Sequence, residues 1–183
     1  MKILFINACI REESRTKELC DKYIAKHFSS EDISERILQN ELILPFNRLM
    51  LEQRVEDIEN LDYSGERYRL AREFNEADIL LIAAPYWDCS FPSVLKAYIE
   101  HICVDGLTFV YDNGVPVKRN KVQKMVYITT SGGYIPENNS LEMYLKELCG
   151  LLCIPELEFH SAQGLDIWGC DIEATLNDTA NNF

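Results

Sequence analysis

Two hydroxyls, an arginine and a lysine stand close together in Asn7-Ala-Cys-Ile-Arg-Glu-Glu-Ser14-Arg15-Thr16-Lys17. This segment leaves the first apolar run of the chain and opens its first helical pattern. Free backbone N–H groups and the positive end of a helix dipole favour an anion at such a place. Ser14, Arg15 and Thr16 add side-chain donors, which suits a phosphate. The same residues also make an ordinary Ser/Thr N-cap. Neither G-x-G-x-x-G nor G-x-x-x-x-G-K-[ST] occurs, so the segment carries no nucleotide fingerprint.

Two further segments offer chemistry. Ala84-Pro85-Tyr86-Trp87-Asp88-Cys89-Ser90-Phe91-Pro92 places three aromatic residues between two prolines. Such a stiff loop can form a wall for a flat ring, with backbone groups bonding the ring's polar edge. It can equally pack on the core or at a subunit interface. Thr129-Thr130-Ser131-Gly132-Gly133-Tyr134 carries consecutive glycines, which let backbone approach a ligand and aim N–H groups at it. Alone it reads as a bare turn. A phosphate loop, an aromatic wall and a glycine loop together suit a phosphorylated flat heterocycle, of which flavin mononucleotide (FMN) is the obvious candidate.

The elements that must hold these loops alternate. Strands are predicted over 2–7, 33–38, 78–84, 122–130 and 157–160. Helices are predicted over 14–28, 65–77, 91–103, 140–152 and 171–181, with a charged surface helix within 42–62. The run Asp78-Ile-Leu-Leu-Ile-Ala-Ala-Pro85 fits a strand buried on both faces. Pro92 is expected in the first turn of its helix, where a missing N–H is harmless. Asn113-Gly114 between Leu107–Tyr111 and Val115–Lys118 spells a hairpin. Alternation of this kind implies parallel βαβ units and an α/β three-layer sandwich, expected as one domain over 1–183. In such sheets ligands sit beyond the carboxyl ends of the strands, where the first, third and fourth strands deliver the three loops.

Composition narrows the function classes. Thirty acidic residues against eighteen basic ones give a net charge of −12. That surplus repels phosphate backbones and anionic headgroups, so neither nucleic acid nor membrane is an expected partner. The longest apolar run is far short of the roughly 18 residues a membrane span needs. Met1-Lys2 leads into an apolar run without a cleavage site, so a cytoplasmic location is expected. The seven cysteines are an odd number spread over strands and helices, unlike a secreted disulfide framework. Cys149 and Cys153 are expected on one helix and to be buried rather than metal-bound, and no metal site is expected. His27, His101 and His160 are scattered and read as surface or satisfied residues. Arg67, Arg69 and Arg72 lie amid glutamates and read as surface ion pairs.

The sequence resembles the flavodoxin-like NAD(P)H-dependent oxidoreductases, the family of FMN-dependent azoreductases and quinone reductases. The resemblance rests on Lys2-Ile-Leu-Phe-Ile, Ser14-Arg-Thr16 and most specifically Ala84-Pro-Tyr-Trp-Asp-Cys-Ser-Phe-Pro-Ser-Val-Leu-Lys-Ala-Tyr98. Gly106-Leu-Thr-Phe-Val-Tyr111, Asn113-Gly114 and Ile128-Thr-Thr-Ser-Gly-Gly133 add to it. It implies a five-stranded parallel sheet in the order 2-1-3-4-5, with the hairpin inserted before the fourth strand. It further implies that Ser14, Arg15 and Thr16 hold the FMN phosphate. Pro85, Tyr86, Trp87, Asp88 and Cys89 would lie against the isoalloxazine, and Thr130, Ser131, Gly132 and Gly133 at its pyrimidine side. A homodimer with each flavin near the interface is implied as well.

Two departures stand out. Ala8 replaces a common serine of azoreductases, removing one phosphate contact. Asp88 replaces the usual asparagine and can accept a hydrogen bond but not donate one. A charged Asp88 close to the ring is expected to lower the flavin potential. The expected activity passes hydride from NADH or NADPH through FMN to a small aromatic acceptor, a quinone or azo compound, by a ping-pong sequence. The cofactor carries that chemistry, so no side chain is assigned as catalytic. The rival readings are a flavodoxin-type electron carrier without an NAD(P)H site and a flavin-free regulatory relative.

Overall fold

The computed structural model describes residues 1–28 and 32–183. In chain order the elements are strand β1 (Lys2–Asn7), helix α1 (Arg15–His27), β2 (Asp32–Ile37), α2 (Arg48–Glu59), α3 (Arg69–Glu76) and β3 (Ile79–Ala83). There follow α4 (Ser93–Ile102), β4 (Phe109–Asp112), β5 (Val115–Lys118), β6 (Lys124–Thr130), α5 (Ser140–Leu152), β7 (Glu156–Ala162) and α6 (Ile172–Asn181). Five strands form one sheet in the order β2-β1-β3-β6-β7, and every pairing in it is parallel. Numbered among themselves, these strands run 2-1-3-4-5, as expected. β4 and β5 form a separate antiparallel hairpin inserted before the fourth sheet strand.

The all-apolar central strands explain the layering. Ile79 to Ala83 is buried along its whole length, so both faces of β3 need cover. Side chains alternate: Leu80 and Ile82 pack with α3, α4 and α5, while Ile79, Leu81 and Ala83 pack with α1 and α6. Two hydrophobic layers, one on each side of the sheet, hold the strands in register. Their carboxyl ends therefore come level at one edge.

The hairpin turn has Asn113 and Gly114 at φ 49° and 81°, the left-handed pair a two-residue turn of this type requires. Several element ends differ from the sequence reading. Pro92 is the N-cap of α4 rather than part of its first turn, with ψ of 141°. The segment expected as one helix over 65–77 begins with a 3-10 turn over Glu66–Tyr68 before α3. α5 stops at Leu152, and Cys153 caps it in the left-handed region at φ 52°. Cys149 and Cys153 therefore do not share a helix. No described helix is long and apolar enough to cross a membrane.

Candidate functional site

At the carboxyl edge of the sheet the loops after β1, β3, β6 and β7 enclose a cleft of about 920 Å³. Ser14, Arg15, Thr16, Pro85, Tyr86, Trp87, Thr130, Ser131 and Gly132 all line it. The three segments singled out from sequence therefore converge on one space. Asp88, Cys89 and Gly133 lie at its margin rather than on its wall, and all three are exposed.

The first wall is the start of α1. Ser14 is its N-cap, and the hydroxyl oxygen accepts from the Lys17 N–H at 3.2 Å. The N–H groups of Arg15 and Thr16 have no partner among the described residues, as the first turn of a helix dictates. Thr16 is buried and places its hydroxyl oxygen 2.6 Å from that of Thr130. One proton lies between the two oxygens, leaving the other hydroxyl proton for another acceptor. Lys17 is engaged by Asp21 at 2.6 Å. Beneath this loop Asn7 Oδ1 accepts from the Cys9 N–H at 2.9 Å and its amide donates to Glu35 at 2.9 Å, so the chain leaves β1 in a fixed direction.

The second wall is the aromatic loop. Tyr86 N–H donates to Thr130 O at 3.0 Å, which continues the sheet by one bond past β3 and β6. Trp87 and Ser90 exchange backbone hydrogen bonds of 3.0 and 2.7 Å around Asp88 and Cys89, whose φ values are 50° and 62°. This is a tight turn of the hairpin type built without glycine. Ser140 at the start of α5 donates to Cys89 O at 3.0 Å and pins it. Tyr86 and Trp87, which flank the turn, line the cleft, whereas Asp88 and Cys89 at its tip do not. Burial and the neighbouring Cys89 thiol push the Tyr86 phenol up from its ordinary value.

The third wall joins two loops. Leu165, Asp166 and Gly164 donate backbone N–H bonds to Ser131, Gly132 and Gly133 carbonyls at 3.0–3.1 Å. The N–H groups of Gly132 and Gly133 themselves have no partner among the described residues. A Cβ on Gly132 would run into Asp166, whose Cγ lies 2.9 Å from that position, whereas a Cβ on Gly133 meets nothing within 4 Å. Asp166 also pairs with Arg15 Nη1 at 2.7 Å, and Leu165 O accepts from the same nitrogen at 3.3 Å. Leu165 and Asp166 line the cleft, and the sequence reading missed both. The topology could have found them, because the end of the fifth sheet strand lies at the same edge.

Other candidates resolve into structural roles. The seven cysteines are free, with Cys9, Cys20 and Cys149 buried. Burial pushes the thiols of Cys103 and Cys149 up to about 12 and about 11, far from the range of a reactive thiolate. Among the described residues no group of three or more His, Cys, Asp or Glu side chains could hold a metal. His27 stacks on Tyr23 at 4.4 Å, His101 Nε2 lies 2.9 Å from Leu44 O, and His160 neighbours Glu158 at 3.4 Å. Arg67 and Arg69 form the expected ion pairs, with Asp57 and with Glu41 and Glu66. Arg72 instead donates to the Tyr63 and Gly65 carbonyls.

Comparison with known proteins agrees with this architecture. The sequence profile described as the flavodoxin-like fold matches residues 1–183. A protein of Clostridium acetobutylicum named FMN-dependent NADH:quinone oxidoreductase 2 is 33% identical over 97% of this chain and 94% of its own. An FMN-dependent NADH:quinone oxidoreductase of Clostridium perfringens is 32% identical over 97% and 93%. Among solved structures, an azoreductase from Bacillus anthracis strain Sterne superposes with a TM-score of 0.84 at 20% identity, covering 100% of this chain and 98% of that one. An FMN-dependent NADH-azoreductase from Bacillus anthracis strain Ames Ancestor, solved in complex with FMN, gives 0.78 at 22% identity, with 100% and 95% coverage. At such identities the superpositions speak for the fold, whereas the sequence profile spans every residue from Met1 to Phe183. The chain belongs to the flavodoxin-like fold family.

Proposed function

We propose that the chain is an FMN-dependent oxidoreductase that moves hydride from NADH or NADPH to a quinone or azo-type acceptor. The observation that carries this reading is the convergence of three kinds of wall on one 920 Å³ cleft: a helix start, an aromatic loop and a glycine loop. The donors fit the group. The unpartnered N–H groups of Arg15 and Thr16, with the Ser14 hydroxyl and the Arg15 guanidinium, match a phosphate. The unpartnered N–H groups of Gly132 and Gly133 match the polar edge of the ring, where negative charge grows on reduction. Relatives named FMN-dependent NADH:quinone oxidoreductase support the same assignment and favour NADH.

When bound, FMN supplies the hydride-accepting and hydride-donating chemistry. The protein supplies place and field. Ser14, Arg15 and Thr16 anchor the phosphate, and Pro85, Tyr86 and Trp87 set the plane of the ring. Asp88 and Cys89 shape the turn that aims those rings. Thr130, Ser131, Gly132 and Gly133 present donors to the ring edge. Nicotinamide and acceptor use the same cleft in turn, a ping-pong order. The protein works as one domain in the cytoplasm and as a homodimer, with residues of the second copy near each flavin.

An absorbance spectrum with added FMN, then NADH or NADPH under argon, tests the reading. Rapid bleaching of bound flavin and recolouring by a quinone is the expected result. Flavin that binds but is not reduced points to an electron carrier, and absence of binding points to a flavin-free relative. Either outcome overturns the proposal.

A further inference from the structure

Asp166 occupies an unusual place for a carboxylate. Its own N–H is fastened to Gly132 O at 3.0 Å, and its side chain fills the space where a Gly132 Cβ would stand. From there it reaches Arg15 Nη1 at 2.7 Å. One residue thus bridges the glycine loop and the anion-binding helix start, and all three residues line the same cleft. Of the other carboxylates lining it, Glu12 and Glu13 make no ion pair among the described residues, Glu18 is matched by Lys22 and Asp21 by Lys17. Of the cations lining the cleft, Arg11 makes no ion pair among the described residues and Lys17 is held by Asp21, so Arg15 is the one that shares a resident carboxylate of the glycine-loop side.

We propose that Asp166 is a positioning residue that holds Arg15 over the cleft and at the same time tempers, by its charge, the hold of Arg15 on the phosphate of the flavin. The inference rests on the proposed flavin site and specifies its affinity. A guanidinium has five N–H donors, and Asp166 and Leu165 both draw on Nη1. The remaining donors stay available to a second anion. That anion meets a guanidinium whose charge is partly neutralised, with a like charge beside it. The pair is exposed enough for solvent to screen it, at 39% and 71% for the two side chains, which keeps the effect small.

The carboxamide of Asp166→Asn can still accept from Arg15, so the position survives while the charge is lost. Dissociation constants are measured by flavin fluorescence for FMN and for riboflavin, which has the same ring and no phosphate. Asp166→Asn should bind FMN roughly three-fold more tightly, in keeping with an exposed charge pair, and leave riboflavin unchanged. The gain should shrink as salt is raised. Asp166→Ser, which loses both the charge and the reach to Arg15, should gain less than Asp166→Asn, and equal gains overturn the positioning role. Weaker FMN binding in Asp166→Asn, or an equal shift for both flavins, overturns the proposal. A wild-type protein that binds neither flavin overturns the flavin site itself, and is recognised before any variant is made.

Discussion

Thr16 and Thr130, 114 residues apart in sequence, face each other with hydroxyl oxygens 2.6 Å apart at the buried floor of the cleft. The bond ties the first turn of α1 to the last residue of β6. It fixes the distance between the helix start and the glycine loop, the two ends of the proposed flavin site. Removing one member leaves a buried hydroxyl without a partner, which costs about 1–3 kcal/mol. Thr16→Val and Thr130→Val should each lower stability by about that much, and the double variant by less than their sum. Urea unfolding of the four proteins checks this, and strictly additive losses would remove the pair from the argument.

The two glycines of the third wall should behave differently. Gly132→Ala drives a methyl into the Asp166 carboxylate, whereas Gly133→Ala meets open space. Neither residue has a positive φ, so backbone strain does not confuse the comparison. Gly132→Ala should push the glycine loop and its unpartnered N–H groups away from the Asp166 segment and weaken FMN and riboflavin binding alike by about ten-fold, equivalent to about 1.4 kcal/mol. Gly133→Ala should leave the affinity near the wild-type value. Fluorescence titration separates the two, and equal losses would contradict the geometry.

Acid stability should depend on Glu158. Burial alone would raise its carboxyl, but Lys124, the Tyr23 hydroxyl and His160 bond its charged form and bring it down to about 2 from an ordinary value of 4.5. A carboxyl depressed in the folded state contributes stability that is complete above its unfolded pKa. That contribution is lost as pH falls from about 4.5 towards 2. Glu158→Gln should be less stable than wild type at neutral pH and should lose less between pH 5 and pH 2, because it lacks this titration. Denaturation midpoints across that range provide the check; parallel acid limbs would place the titration elsewhere.

The turn after β3 is a site for stabilisation. Cys89 holds φ at 62°, a region that costs a side chain about 1 kcal/mol and glycine nothing. Cys89→Gly keeps the backbone carbonyl that Ser140 binds. It should raise stability by about 0.5 kcal/mol once the extra freedom of glycine in the unfolded chain is counted. Thermal unfolding measures it, and a destabilised variant would mean that the Cys89 side chain contributes more than its strain costs.

Most of the fold was legible because its signals are local. Buried strands announce themselves as apolar runs, and Asn113-Gly114 specifies its turn through the φ of two residues. Ser14, Arg15 and Thr16 could be placed at the cleft because a helix start after a strand already has a direction. Legibility ended where geometry is not local. Nothing in the spacing says that Arg15 meets Asp166, 151 residues later. The family resemblance implies that Asp88 and Cys89 lie against the ring, but it says nothing of the paired positive φ values with which they form the tip of a tight turn. Cys153 was assigned to a helix by its distance from Cys149, but the left-handed conformation that ends the helix gives no advance notice in a cysteine. α2 reads as a surface helix and has no buried residue.

The strand order has a consequence for synthesis on the ribosome. Once β1 and β2 have paired, β3 adds to the free side of β1, β6 to β3, and β7 to β6. Each new strand joins an open edge in the order it emerges, and none has to be threaded between strands already placed. The cleft follows another schedule. Arg15 is translated 150 residues before Leu165 supplies its carbonyl, a delay of roughly 8–30 s at about 5–20 residues per second. A nascent chain thus acquires its sheet progressively, but becomes able to close its ligand site only after the segment following β7 has emerged.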